Sequence, residues 1–152
     1  MKKETSKIIW LTGLSGSGKT TISKYLFKLL KKKKFKILKV DGDIFRKKSK
    51  NKNKFSIKNL IKNNLKIIYY VKKKITKYDF IIVSVISPLK KTRNFAKNIF
   101  KKKYLEVNVH CNLKTLIRRD TKGLYKKALD KKIDNLIDFK SKIKYQKSTY
   151  KV

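Results

Sequence analysis

Eight consecutive residues have the types and spacing to hold phosphate: Gly13-Leu14-Ser15-Gly16-Ser17-Gly18-Lys19-Thr20. The pattern is G-x-x-x-x-G-K-[ST]. Its glycines let the backbone curl so that successive N–H groups face one concavity. Lys19 reaches the outer phosphates, and the Thr20 hydroxyl suits a Mg²⁺ ligand. The apolar run Ile8–Leu11 before it reads as a strand. A helix beginning at about Gly18 would add the favourable end of its dipole to the anion site.

A group that uses such a site to transfer phosphate also needs a carboxylate near the metal and the acceptor. The chain holds only nine acidic residues, so elimination is informative. Glu4 lies in a polar tail, Asp79 at the entry of a strand and Glu106 inside one. Asp130, Asp134 and Asp138 fall in a weakly patterned region. Asp41 and Asp43 alone follow directly from a strand's carboxyl end, and the apolar run Phe80–Ile86 ends in Ser87 instead of an aspartate. Asp43 is therefore the candidate base on the acceptor side. Asp41 supports metal-bound water or the loop's geometry, and a plain Asp-Gly turn capped by Asp41 is the alternative.

Arginine is rare here, four residues against many lysines, so each one draws notice. Arg46 lies one helical turn beyond Asp43 and offers a planar fork for phosphate or sulfate. Arg119, in Arg118-Arg119-Asp120-Thr121-Lys122-Gly123, sits in a basic, glycine-containing stretch with the make-up of a lid. For Arg93 and Arg118 a surface salt bridge is the competing reading. His110, the sole histidine, and Cys111, the sole cysteine, make no zinc set, and a packed or capping role suits both.

The elements that must position these residues follow from periodicity. Ile22, Tyr25, Leu26, Leu29 and Leu30 recur at helical spacing, and Lys31–Lys34 closes that helix as a solvated tail. Phe35–Val40 reads as a second strand. Lys47–Lys54 has no periodicity and reads as a polar loop. Ile57, Leu60, Ile61, Leu65 and Ile68 mark a long helix from about Ser56 to Thr76. Phe80–Ile86 is continuous enough for a strand covered on both faces. Pro88 suits the first turn of a helix whose buried face is Phe95, Ala96, Ile99 and Phe100. Tyr104–Cys111 reads as a fourth strand, Leu113–Arg119 as a short helix and Tyr125–Ile133 as another. Beyond Asp134 the pattern weakens, and Lys140–Val152 reads as loop or frayed end. Alternating strands and helices predict an α/β fold of the P-loop NTPase type, a parallel sheet covered by helices on both faces in three layers. Ligands then bind at the strands' carboxyl ends.

At 152 residues the chain makes one domain, 1–152, with a polar tail over 1–7. No run approaches the length needed to span a bilayer, and the start lacks the features of a signal peptide. A lone cysteine fits a reducing, cytoplasmic setting. The formal charge of +36 comes almost wholly from dispersed lysine alongside many Asn, Ile, Phe and Tyr. That set has the look of A/T-rich codon bias. Nucleic-acid readers localise charge and favour arginine forks, so no specific nucleic-acid partner is expected, only weak attraction to polyanions at low salt.

Taken together, Trp10–Thr21, Asp41-Gly42-Asp43-x-x-Arg46, Phe55-Ser56, Asn63, Ser84-x-Ile86-Ser87-Pro88 with Arg93, and Arg119-Asp120-x-Lys122-Gly123-Leu124-Tyr125-Lys126-Lys127-Ala128 resemble the adenylylsulfate (APS) kinase family in order and spacing. The resemblance implies an ATP- and Mg²⁺-dependent kinase that phosphorylates the 3′-hydroxyl of APS to give PAPS and ADP in sulfate activation. Under it, Gly13–Thr20 hold the ATP phosphates and Mg²⁺, with Lys19 and Asp43 catalytic. Arg46 holds the phosphosulfate, Phe55 stacks on the APS adenine, and Asn63 contacts the same nucleotide. Asp41, Ile86, Gly123 and Leu124 belong to the substrate site. Arg119 and Lys122 belong to the lid, and Ser87 falls at the family's phosphoserine position. The resemblance also implies a homodimer and an ATP sulfurylase as partner.

Departures are equally specific. Leu60 stands where the family has an arginine, Leu65 and Lys66 where it usually has two, and Lys97 where it has another; Leu60 leaves open a related P-loop kinase with a different hydroxyl acceptor, and the shortened end a catalytically impaired nucleotide-binding relative. Leu136 takes the place of a second stacking phenylalanine. The family's final strand and helix have no counterpart before Val152, which predicts an ATP adenine pocket missing part of its wall.

Overall fold

A computed structural model of the chain describes residues 6–47, 56–134, 136–139 and 141–148. Strand β1 is Lys7–Thr12, followed by helix α1 (Lys19–Lys32), β2 (Ile37–Asp41), α2 (Gly42–Lys47) and α3 (Ile57–Lys74). Then come β3 (Phe80–Ser84), α4 (Lys90–Phe100), β4 (Tyr104–Asn108), α5 (Leu113–Arg119) and α6 (Leu124–Leu129). All strand pairings are parallel, in the order β2-β3-β1-β4.

The strand sequences explain the layers. Successive side chains of a strand point to opposite faces. In β1, Ile8 and Trp10 join a core with Ile67, Ile68 and Val71 of α3 and Ala96 and Phe100 of α4. Leu11 goes to the other face with Ile82 and Val109, against Ile22, Leu26 and Leu30 of α1. Both faces are apolar because both are covered. This is the three-layer fold that the alternating elements predict. A third cluster, with Leu60, Ile86, Leu116, Tyr125 and Leu136, lies beyond the strands' carboxyl ends. The register sets Asp41 beside Ser84, Ser84 beside Leu11 and Thr12 beside Asn108, so these ends form one rim.

Several boundaries differ from the sequence reading, each for a local reason. Asp41-Gly42-Asp43 is no free turn. Gly42 already begins α2, and the Asp41 carboxylate accepts the Asp43 N–H at 2.8 Å. Strand β3 ends at Ser84 and β4 at Asn108. In both, the next residue still gives one backbone bond to β1, Val85 N–H to Leu11 O at 3.0 Å and Val109 N–H to Thr12 O at 2.8 Å, before the chain turns into the rim. Pro88 precedes α4 by two residues and lies outside its first turn. Phe95 sits at the edge of α4's buried face, 37% exposed and edge-on to Tyr69. His110 is exposed and Cys111 half-buried. Helix α6 closes at Leu129, short of Ile133.

The described part of the C-terminal stretch is loop, as the sequence reads, but it is not frayed. Residues 141–148 form no helix or strand, yet they are docked. The Gln146 N–H donates to Pro88 O at 2.8 Å, and its side-chain oxygen accepts the Lys90 N–H at 2.5 Å. Ser141, Ile143 and Tyr145 are half-buried while Lys142 and Lys144 are exposed. That two-residue alternation is the extended-chain signal which lysine-rich composition obscures. The loop expected over Lys47–Lys54 lies largely outside the described residues.

Candidate active site

The phosphate loop is shaped by its neighbours. Thr12 O accepts the Val109 N–H at 2.8 Å, which brings the exit of β4 against the loop's first residue. A Cβ on Gly13 would lie 2.4 Å from Val109 O, and its φ of 146° is one that side-chain-bearing residues avoid. Gly18 caps α1, whose first turn carries no acid, so its free N–H groups remain for an anion. Lys19 folds back onto the loop, donating to Gly13 O at 3.0 Å and Leu14 O at 2.7 Å. Burial, reinforced by the positive charges of Lys122 and Arg46 and opposed by Asp41, pulls the Lys19 ammonium down to a pKa of about 7. Thr20, the next residue, is exposed.

The acidic pair sits on the neighbouring rim. Gly42 is required for space: a Cβ there would come 2.7 Å from Val85 Cγ2. With no side chain at that point, α2 seats directly on the exit of β3. Asp43 then forms ion pairs in two directions, with Arg46 one turn along α2 and with Lys122. Burial and the nearby Arg46 charge lower the Lys122 ammonium from its ordinary value.

Lys122 arrives on the turn between α5 and α6. Asp120, at φ 25°, closes α5, and its carboxylate accepts the N–H groups of Tyr125 at 3.1 Å and Lys126 at 2.9 Å, which caps α6. The Tyr125 hydroxyl reaches back to donate to Ser15 O at 3.0 Å and is buried there. Burial pushes this phenol up to about 12, so it stays a donor throughout the neutral range. The stretch with the composition of a lid is thus tied directly to the phosphate loop.

These pieces enclose a cavity of about 230 Å³ lined by Gly16, Gly18, Lys19, Thr20, Thr21, Asp41, Asp43, Ser84, Val85, Ile86, Arg119, Thr121 and Lys122. Nine of the predicted residues therefore line one cavity: Gly16, Gly18, Lys19, Thr20, Asp41, Asp43, Ile86, Arg119 and Lys122. Gly13, Leu14, Ser15 and Ser17 build the loop behind this lining, and Arg46 acts on it through Asp43. Gly123 and Leu124 begin α6. Asn63 is half-buried on α3, and Phe55 lies outside the described residues. Ser87 is fully buried, with its hydroxyl donating to Asn64 Oδ1.

Asn64 lies outside the motifs. Tyr125 and Arg93 fall within them, but the motifs give neither a role. For Arg93 a surface salt bridge was the competing expectation. Arg93 is 1% exposed. Its Nε donates to Glu106 at 2.9 Å, one Nη to Ser87 O at 2.6 Å, and the other to Gln146 O and Lys147 O at 2.7 and 2.8 Å. Its guanidinium also lies over the Tyr145 ring, whose hydroxyl shares a 2.8 Å hydrogen bond with Thr12. The scarcity of arginine and its place after Ser87-Pro88 were the available signals.

The site's oxygen donors, the Thr20 hydroxyl and the two carboxylates, suit a hard cation such as Mg²⁺. No group of three or more His, Cys, Asp or Glu residues among the described residues could cage an ion.

The family model described as adenylylsulphate kinase matches residues 5–148. This chain belongs to the adenylylsulphate kinase family. A probable adenylyl-sulfate kinase of Aeropyrum pernix is 37% identical over 136 residues, 87% of this chain and 74% of the relative. A cytidine diphosphoramidate kinase of Campylobacter jejuni is also 37% identical, over 135 residues, 89% of this chain and 78% of the relative. Among solved structures, the APS kinase of Mycobacterium tuberculosis in complex with AMPPNP and APS superposes with a TM-score of 0.85 at 28% identity, covering 97% of this chain and 88% of that one. This adenylylsulphate kinase family member is therefore a nucleotide-binding phosphotransferase. No helix among its described residues is long and apolar enough to cross a membrane.

Proposed function

We propose that the protein is an adenylyl-sulfate kinase, transferring the γ-phosphoryl group of ATP to the 3′-hydroxyl of APS. One observation carries this reading: Asp43, Arg46 and Lys122 form a single ion-paired group facing Lys19 and Thr20 across one cavity. A mechanism follows from their chemistry. The loop N–H groups and Lys19 grip the ATP phosphates, for which Lys19 leaves its loop carbonyls. Mg²⁺, when bound beside Thr20, supplies charge neutralisation at the phosphates. Arg46 engages the phosphosulfate, which frees Asp43. Asp43 then orients the acceptor hydroxyl and takes its proton as the oxygen–phosphorus bond forms and ADP departs. Arg119 and Lys122 offset charge on the transferring group. Phe55 and Asn63 complete the acceptor site in this reading. Ser87 carries no phosphoryl group, because in-line transfer needs no such intermediate and its hydroxyl is engaged with Asn64. Sulfate activation in the cytoplasm is the setting this activity implies.

A second reading, with cytidine diphosphoramidate as acceptor, is favoured by Leu60. This side chain is 2% exposed and packs with Ile86, Leu116 and Tyr125, so that turn of α3 offers no guanidinium. A lost charged hydrogen bond is worth about 1.5–3 kcal/mol, enough to change the preference between two acceptors that differ in base and in the group beyond the first phosphate. The two readings separate in one assay. The purified chain is given Mg²⁺-ATP with either acceptor, and ADP and the 3′-phosphorylated product are quantified. Higher kcat/KM for APS, abolished in Lys19→Ala, supports the first reading. The reverse order supports the second.

A further inference from the structure

Helix α3 buries Leu60, Asn64, Ile67, Ile68 and Val71. Asn64 is the polar member of this stripe and is 1% exposed. A buried amide left without partners costs about 1–3 kcal/mol, so its partners identify what it is there to hold. Its Nδ2 donates to Leu60 O at 2.9 Å and to Ile86 O at 3.3 Å, and its Oδ1 accepts the Ser87 hydroxyl. Two of the three bonds therefore leave the helix and grip the exit of β3. Gly42 packs against Val85 of the same segment from the direction of α2. Val85 and Ile86 line the cavity next to Asp41 and Asp43. Asn64 makes no contact with the phosphate loop, and only the backbone of Ser87 meets Thr12.

We propose that Asn64 and the Ser87 hydroxyl are a positioning pair that sets the acceptor wall of the cavity, and so governs acceptor affinity without touching the acceptor. The proposal rests on the kinase reading above, and names residues of that site which the family motifs leave without this role. Acting on backbone, the pair fixes where Ile86 stands relative to Asp43, while the phosphate loop takes its shape from Val109 and Tyr125, neither of which the pair touches through its side chains.

The test uses Ser87→Ala, Asn64→Leu and the double variant of the full chain, assayed with Mg²⁺-ATP and with APS or cytidine diphosphoramidate. Ser87→Ala should raise the acceptor KM about tenfold, the equivalent of one hydrogen bond, with the ATP KM within about twofold. The double variant should be no worse than Asn64→Leu alone, since each single change removes the same bond. Equal losses for both substrates, or additive losses, would overturn the pair. Amide hydrogen exchange supplies a readout independent of turnover. It should quicken in Ser87→Ala over Val85–Ser87 and stay unchanged over Gly13–Thr20; unchanged exchange in both would overturn the clamp. If the wild-type chain uses neither acceptor, the functional reading fails, and exchange alone decides the pair.

Discussion

At the scale of single residues, the arrangement around Asp43 concentrates the chemistry. Replacing it by asparagine keeps size and removes the proton acceptor. Asp43→Asn should lower kcat by about 10²–10⁴ while leaving nucleotide affinity within about twofold, measured by steady-state kinetics and calorimetric ADP binding. Lys19 adds a pH signature. Free, it titrates near 7 because it is desolvated among cations; beside a phosphate it is held protonated at higher pH. Nucleotide binding at pH 8 should therefore take up a proton, and affinity should weaken as pH rises from 7 to 9. Calorimetry in two buffers of different ionisation enthalpy reads the uptake directly. Asp41, Asp43 and Arg46 were legible because acids and arginines are so few. Asn64 was not, since a polar residue beside an apolar stripe looks the same in sequence whether it faces water or a carbonyl.

At the scale of elements, the seating of α2 on the β3 exit decides the site's shape. Gly42→Ala drives a Cβ into Val85, and overpacking of this kind costs about 1–3 kcal/mol. Its midpoint of thermal unfolding should fall by about 2–12 °C, scaled for a chain of this size. A midpoint equal to wild type would mean that Val85 yields freely. The strands and long helices were readable because both faces of the sheet are covered, which makes Ile8–Leu11 and Phe80–Val83 continuous apolar runs. Residues 141–148 were not readable as a docked segment. They are held by bonds between Gln146 or Lys147 and Arg93 or Lys90, and in so lysine-rich a stretch the alternation of Ser141, Ile143 and Tyr145 does not stand out.

At the scale of the whole molecule, the charge of +36 matters through the anions it attracts. Both proposed substrates are polyanions, and a strongly positive surface raises their encounter rate at low ionic strength. The kcat/KM for each should fall about tenfold or more between low and high salt, with kcat changing much less, as checked by initial rates across a salt series. A flat kcat/KM would mean that dispersed lysine steers nothing. The nine acids have a further consequence on the proposed reading. Asp43, the candidate base, is already neutralised by Arg46 and Lys122 before any acceptor arrives. A stray water in the acceptor's place cannot release it, because water carries no anion to draw either cation away. The ion-paired carboxylate thus works as a guard against idle ATP consumption. Arg46→Ala, which removes the cation that the acceptor draws away, should raise acceptor-independent ATP hydrolysis relative to acceptor turnover, a leak that a phosphate-release assay would record.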